Sequence, residues 1–212
     1  MHVRPVVAVG LALVLGAGSM FAEEPVLRLR VTAIGGGAPS APWTLELLRW
    51  STEAERTTLL TALSAPPPAP PAAAPAGGRA GRGGRGGRGA APPPSPLARL
   101  STAVKATPTL GFIWGDGVTG YSIKYAWRAT SSEGTERVVL VTDRRLGAHV
   151  PDWVPASGAG AEGEFTLIEM QIGKGVGEGK TSLTSPVVID AAAGTLALDG
   201  YAAAPTMLKV SR

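Results

Sequence analysis

Apolar and polar residues alternate along much of this chain, and that pattern predicts a protein built chiefly of short strands. Leu27, Leu29 and Val31 alternate with Arg28, Arg30 and Thr32, the period of a strand with one buried face. Gly35, Gly36, Gly37 and Pro39 end it. Residues 43–49 repeat the pattern, with Trp43, Leu45 and Leu47 on one face and Thr44 and Glu46 on the other. The period then lengthens. Thr52 with Glu55 three residues on makes a capping box, in which hydroxyl and carboxylate each satisfy a free backbone N–H at a helix start. Leu59, Leu60 and Leu63 follow on one helical face, and Trp50 is expected to fold over the first turn.

From 65 to 96 periodicity vanishes into Pro, Ala, Gly and four arginines, Arg79, Arg82, Arg85 and Arg88. This composition predicts a disordered linker, extended where proline dominates and flexible where glycine does. Leu97, Leu100 and Val104 then predict a short helix ending near Thr107-Pro108. Strands are expected at 109–114, 121–128, 137–142, 165–172, 180–184, 187–190, 195–198 and 207–210, with turns at 115–120 and 131–134. In 121–128 the alternation places Tyr121, Ile123, Tyr125 and Trp127 on one face. Residues 137–142 are apolar on both faces, as in a strand covered from both sides. Residues 143–163 read as irregular, and 190–194 as a hairpin turn. The expected fold is mainly β (α+β): an antiparallel sheet or β-sandwich with one or two short helices near the N-terminal part, interrupted by the Pro/Gly/Arg-rich linker.

Several short motifs go together here: Trp50-Ser51-Thr52 with Glu55-Arg56, Leu59-Leu60, Gly111-Phe112-Ile113, Tyr125-Ala126-Trp127-Arg128, Thr142-Asp143-Arg144, Phe165-Thr166-Leu167-Ile168-Glu169 and Gly177-Glu178-Gly179-Lys180. In this combination the chain resembles a group of small exported bacterial proteins with no established activity. The resemblance implies an exported single domain and implies nothing about substrate. The 65–96 tract departs from the group and reads as an insertion between the two helices.

Residues 1–22 fit an export signal: Arg4 near a positive amino terminus, an uncharged run over 5–18, small residues up to Ala22, then Glu23-Glu24. Cutting after Ala22 puts Met20 where a small residue is preferred, whereas Ala17-Gly18-Ser19 fits the small-x-small rule better. The alternative is an uncleaved anchor, since 6–22 holds 17 uncharged residues, the short limit for crossing a bilayer. The expected organisation is signal peptide 1–22, the strands and helix of 23–64, insertion 65–96, and the β-rich remainder of the same domain at 97–212. The expected location is secreted or periplasmic, with no stable membrane span once the signal is cut.

Charge follows the same division. The chain carries +4, and setting aside Arg4 and the four tract arginines leaves −1. The folded part is therefore near neutral, without the basic surface that usually marks a nucleic-acid binder. Four arginines with no aromatic residue among them give a salt slope of only about −3 and nothing for bases to stack on. The tract reads as linker or compositional drift, with weak contact to anionic polymers as the alternative. No cysteine is present, which excludes disulfides, thiolate nucleophiles and Cys-type zinc sites.

Gly173–Thr181 imitates a phosphate-binding loop, but Lys174 stands where that motif needs its first glycine, and a strand rather than a helix is expected to follow. His149 is the only histidine beyond the signal, and no Gly-x-Ser-x-Gly elbow accompanies it. Asp143, His149 and Asp152 would suit a metal or a triad, yet such a polar segment is more often a solvated loop. Arg128, Asp143, Arg144, Glu169 and Lys180 form the one candidate polar cluster, read as structural ion pairs. Trp114, Tyr121, Tyr125 and Trp127 would make a sugar-stacking platform if exposed; alternation favours core packing instead. No cofactor is expected and the partners are open. The function expected is that of an exported, non-catalytic structural or binding protein. The alternatives are a carboxylate-dependent hydrolase of envelope or extracellular polymers, or adhesion through the Arg/Gly tract.

Overall fold

The alternation of the first strands is that of a barrel wall. In the computed structural model, which describes residues 24–34, 42–66, 93–115, 120–146 and 164–212, β1 (Leu27–Ala33) and β2 (Trp43–Leu47) pair antiparallel, with Leu29 opposite Leu45 and Arg30 opposite Thr44. After α1 (Glu53–Ser64) and α2 (Pro96–Ala106) come β3 (Gly111–Trp114), β4 (Tyr121–Thr130), β5 (Glu136–Thr142), β6 (Leu167–Gly173) and β7 (Val176–Thr181), each pairing with the strand before it. β8 (Val187–Asp190) and β9 (Thr195–Leu198) form a separate hairpin, and β10 (Leu208–Ser211) pairs with both β7 and β1. Eight antiparallel strands thus close into a ring. The protein is mainly β with two helices, as the pattern predicts, but one sheet curls shut instead of two stacking as a sandwich. Closure gives every strand of the ring two neighbours and leaves the ring without an edge of unpaired N–H and C=O groups.

Two apolar cores share the wall. Trp43, Leu45, Tyr121, Ile123, Leu140, Ile168, Met170 and Leu208 belong to the cluster that fills the barrel. An eight-stranded ring is only just wide enough for such a filling. The second core lies outside, where α1, α2 and the β8–β9 hairpin cover β4, β5 and β6. There Leu59, Leu100 and Val104 meet Tyr125, Val139, Val141, Leu167, Leu196 and Leu198. β5 therefore buries Val138 and Leu140 inward and Val139 and Val141 outward, which explains its apolar character on both faces. Each such side chain contributes roughly 1.5–3 kcal/mol on burial.

One expected face splits in two. Ile123 lies opposite Thr142 and Tyr125 opposite Val141, so β4 carries an extra residue, Lys124, against β5. A bulge of this kind inverts every later side chain. Tyr121 and Ile123 point into the barrel, whereas Tyr125 belongs to the outer core and Trp127 packs against it. The shift also frees the backbone of Ala126 to bond Ser51, through Ser51 N–H to Ala126 O (2.9 Å) and Ala126 N–H to Ser51 Oγ (2.9 Å). Trp50, just before the cap of α1, packs on the barrel with the Arg128 guanidinium 4.9 Å above its ring.

The glycines of 173–179 serve the β6–β7 hairpin. Lys174 and Gly175 form its two-residue turn, with φ of 51° and 83°, the signature of the type I′ turn that matches strand twist. The strand begins at Val176, earlier than the expected 180, because Gly177 lies inside it. A Cβ there would sit 2.1 Å from the Gln171 carbonyl oxygen.

Both helices start as the sequence indicates. Thr52 Oγ1 accepts from Glu55 N–H (3.3 Å) and Glu55 accepts from Thr52 N–H (2.8 Å), while Ser95 Oγ caps α2 through Ala98 N–H (3.2 Å). Arg49 adds two bonds to the Glu55 carboxylate (2.7 and 2.9 Å). That guanidinium foremost, with the Thr52 backbone N–H assisting, lowers the Glu55 pKa to about 2 despite the opposing effect of burial. Arg99, on α2, reaches across to α1, donating to the carbonyl oxygens of Ala62 (3.2 Å) and Ala65, and also to Pro94 O (2.8 Å). It caps the α1 C-terminus, which has no basic residue in its last turn. It also ties together the two points where the chain leaves for and returns from 67–92. The expected signal 1–22 and arginines Arg79, Arg82, Arg85 and Arg88 lie outside the described residues.

Because one guanidinium holds both ends, replacing 67–92 by a six-residue Gly-Ser linker should raise the stability of the protein by no more than about 1.3 kcal/mol, the loop-closure difference. Arg99→Ala should lower it by about 1–2 kcal/mol; urea midpoints of both variants check this. The Glu55 pKa is depressed in the folded state, so its contribution is full above about 4.5 and fades as pH falls toward about 2. Glu55→Gln should therefore cost about 1 kcal/mol at pH 7 and much less at pH 2, read from melting curves at the two pH values.

Candidate functional site

The five residues of the expected polar cluster do not meet at one place. Glu169 and Lys180 are cross-strand partners on the outer face of β6 and β7, beneath the β8–β9 hairpin. Asp143 and Arg144 follow β5 at another end of the wall, where Asp143 Oδ1 accepts from Ser122 N–H (3.0 Å) and Arg144 donates to Gly120 O (2.8 Å). Arg128 lies over Trp50. His149 and Asp152 lie outside the described residues. Among the described residues no group of histidines and carboxylates is arranged to hold a metal ion.

Glu169 is 2 % exposed and both its oxygens are engaged. Oε1 accepts from Arg137 Nε (2.7 Å) and Oε2 from the backbone N–H of Leu198 (2.9 Å). Arg137 turns its other arm to Asp190 at the end of β8 (2.7 Å) and lies 5.7 Å from the centre of the Trp127 ring. Lys180, 5 % exposed, donates to the carbonyl oxygens of Tyr201 (2.7 Å) and Ala202 (3.3 Å), with the Tyr201 ring 4.6 Å from its ammonium. Tyr125 and Thr195 share a further buried hydroxyl contact at 2.6 Å. Two cations and two carboxylates thus rivet the hairpin and the turn after it to the barrel. The Arg137 hydrogen bond, helped by the Ala193 N–H, holds the Asp190 carboxyl below its usual range, and burial pushes the Tyr201 phenol upward.

This chemistry is that of a latch. A paired-acid hydrolase needs two carboxyl groups about 5–10 Å apart across an open pocket. Glu169 sits opposite Val139, and Asp143 is four residues further along that strand, about 13 Å away at strand rise. Arg137, Asp190 and Tyr201 were not among the expected residues. Arg137 had a signal, since it shares the outer face of a two-sided strand with Val139 and Val141, a position where a charge needs a partner. Asp190 read only as a turn residue, and Tyr201 carried no pattern at all.

A concavity lies on the side of the barrel that no described helix or hairpin covers, across β1, β2 and β3. Arg28, Arg30, Thr44, Glu46, Trp114 and Arg212 line a groove of about 660 Å³ there. Strand register sets the order of its outward side chains: Trp114 beside Thr44, Thr44 beside Arg30, Arg30 beside Ser211. In the adjoining row Phe112 stands beside Glu46, and Glu46 beside Arg28 at 2.6 Å. Arg212 pairs with Glu136. Among the described residues the Arg30 guanidinium has no ion-pair or hydrogen-bond partner. Trp114 is 37 % exposed and lies 6.4 Å, ring centre to ring centre, from Phe112, which is 41 % exposed. The four-aromatic platform does not form, because Tyr121 is inside the barrel, Tyr125 under the helices and Trp127 against Arg137. Trp114 alone of the four faces outward in this groove. A wider depression of about 810 Å³ over β7 and β10 offers one cation, Lys209, and an exposed Val176, with Glu178 bonded to Thr206 (2.8 Å).

Comparison with known proteins found no matching family model, no matching curated protein and no matching solved structure.

Removing Glu169 leaves Arg137 with Asp190 alone and the buried Leu198 N–H without its acceptor, so Glu169→Ala should cost about 2–3 kcal/mol in chemical denaturation. The Asp190 pKa is depressed in the folded state, so its contribution is present above the ordinary carboxyl range and lost as pH falls below it. The protection of the Leu196 and Leu198 amides, taken against the intrinsic exchange rate at each pH, should therefore fall below about pH 4 in the parent chain, and Asp190→Asn should show the lower protection already at pH 7.

Proposed function

We propose that this chain is a non-catalytic binding protein acting outside the cytoplasm, and that the open outer face of the barrel is its binding surface. What carries the reading is the unequal use of charge. On the covered half, Arg137, Glu169, Asp190 and Lys180 are all spent on the hairpin, while on the open half Arg30 stands beside an outward tryptophan in a groove. A groove of this volume falls within the range of small-ligand sites, with a few polar groups placed around an apolar surface. The barrel interior is filled by side chains, so a ligand would lie on the wall and not within it. The export reading rests on residues 1–22 and on the resemblance drawn from the motifs. No helix among the described residues is long and apolar enough to cross a membrane.

Titrating the purified chain with a panel of oligosaccharides, peptides and oligonucleotides should shift the indole N–H resonance of Trp114 and the amides of β1 and β2, with no turnover of any of them. Turnover that Glu169→Gln abolishes in a chain still folded would replace this reading with the hydrolase.

A further inference from the structure

Resting on the binding reading, we infer that the groove over β1, β2 and β3 takes an acidic glycan, a short stretch of carboxylate-bearing sugars. Three features of the groove act together. The Arg30 guanidinium is a planar fork of donors with no partner among the described residues, and it suits a carboxylate held by two parallel hydrogen bonds. Thr44, beside it on β2 and lining the same groove, supplies a hydroxyl to the same ligand group, while Ser211, beside it on β10, lies at the edge toward the neighbouring depression. Trp114 stands two strands from Arg30, about 10 Å at sheet spacing, and offers a flat apolar face. A sugar ring resting its C–H face on that indole would present the carboxylate of the next residue to Arg30.

Glu46 decides between anionic ligands. It lies in the groove wall, paired to Arg28, with its side chain 19 % exposed. A carboxylate there accepts hydrogen bonds from sugar hydroxyls, donors that the phosphodiester backbone of DNA does not offer. With Glu136 holding Arg212, the groove is only mildly positive. That balance fits a ligand carrying one charge per ring and many hydroxyls. Register fixes the geometry, because Trp114, Thr44, Arg30 and Ser211 lie on successive strands of a closed sheet and cannot shift relative to one another.

Calorimetric titration of the whole chain with tetragalacturonate, the neutral tetrasaccharide cellotetraose and the oligonucleotide dT8 tests this. Tetragalacturonate should bind at least ten-fold more tightly than either other probe. Arg30→Ala and Trp114→Ala should each weaken it about ten-fold or more at an unchanged melting temperature, with Arg30→Lys in between. Equal binding of cellotetraose, lost in Trp114→Ala, would overturn the acidic specificity and leave the binding surface standing. Tighter binding of dT8, lost in Arg30→Ala, would replace the glycan with a polyphosphate and likewise leave the surface standing. Binding of none of the three would overturn the glycan assignment, and if Trp114 then also fails to respond to the wider panel the binding surface falls with it. Tetragalacturonate binding that both variants leave unchanged would place the ligand elsewhere and overturn both.

Discussion

The pairing of β1 with β10 holds the ring shut, with Arg30 opposite Ser211, Val31 opposite Val210, Thr32 opposite Lys209 and Ala33 opposite Leu208. These strands come from the two ends of the described chain, so the contact spans nearly its whole length. Without it β1 and β10 would each expose a row of unpaired backbone groups, and Leu29, Val31, Leu208 and Val210 would lose their covering. Such long-range contacts cost the most chain entropy to form and tend to slow folding. The final backbone bond, Arg212 N–H to Gly175 O (2.9 Å), ties the last residue to the β6–β7 turn.

Closure also divides the outer wall. The β4–β6 arc is apolar outside as well as inside and needs a cover, which the helices and the β8–β9 hairpin provide. The β1–β3 arc carries arginine, threonine and glutamate outward, with Phe112 and Trp114 part-exposed among them, and no described helix lies over it. Charges on the two arcs behave differently for that reason. Under the hairpin, Glu169 and Lys180 are nearly excluded from water, and a buried charge persists only with hydrogen-bonded partners. On the open arc the Arg28 side chain is 66 % exposed, where ion pairs with water close by contribute little to stability. Arg30 is exposed there, and hydration satisfies its guanidinium without a partner among the described residues.

Much of the architecture was legible wherever one period held. The alternation in 27–32 and 43–47 matched strands with one buried face, and Thr52 with Glu55 marked the start of α1 to the residue. The doubly apolar run from Val138 to Val141 announced a strand covered on both sides. Legibility failed at Lys124, since alternation presumes unbroken pairing and a bulge carries no composition of its own. It failed again at 176–179, where Gly177 and Gly179 read as loop although the close β6 backbone demands the first and the Met170 and Leu208 side chains crowd the second. The polar cluster was half legible. Glu169 and Lys180 are indeed neighbours, but Arg137, Asp190 and Tyr201 join them only because a separate hairpin folds back over that arc.

The order of strands, the helix caps and the near-neutral charge of the folded part follow from the sequence itself, because each depends on residues close together in the chain. Closure into a barrel, the inversion of Tyr125 and Trp127, the latch under the hairpin and the groove beside Arg30 were decided only in three dimensions. Each depends on which strand becomes whose neighbour, and local periodicity is silent on that. Alternation told that Arg28 and Arg30 face outward. Only register told that Thr44, Ser211 and Trp114 face outward beside them.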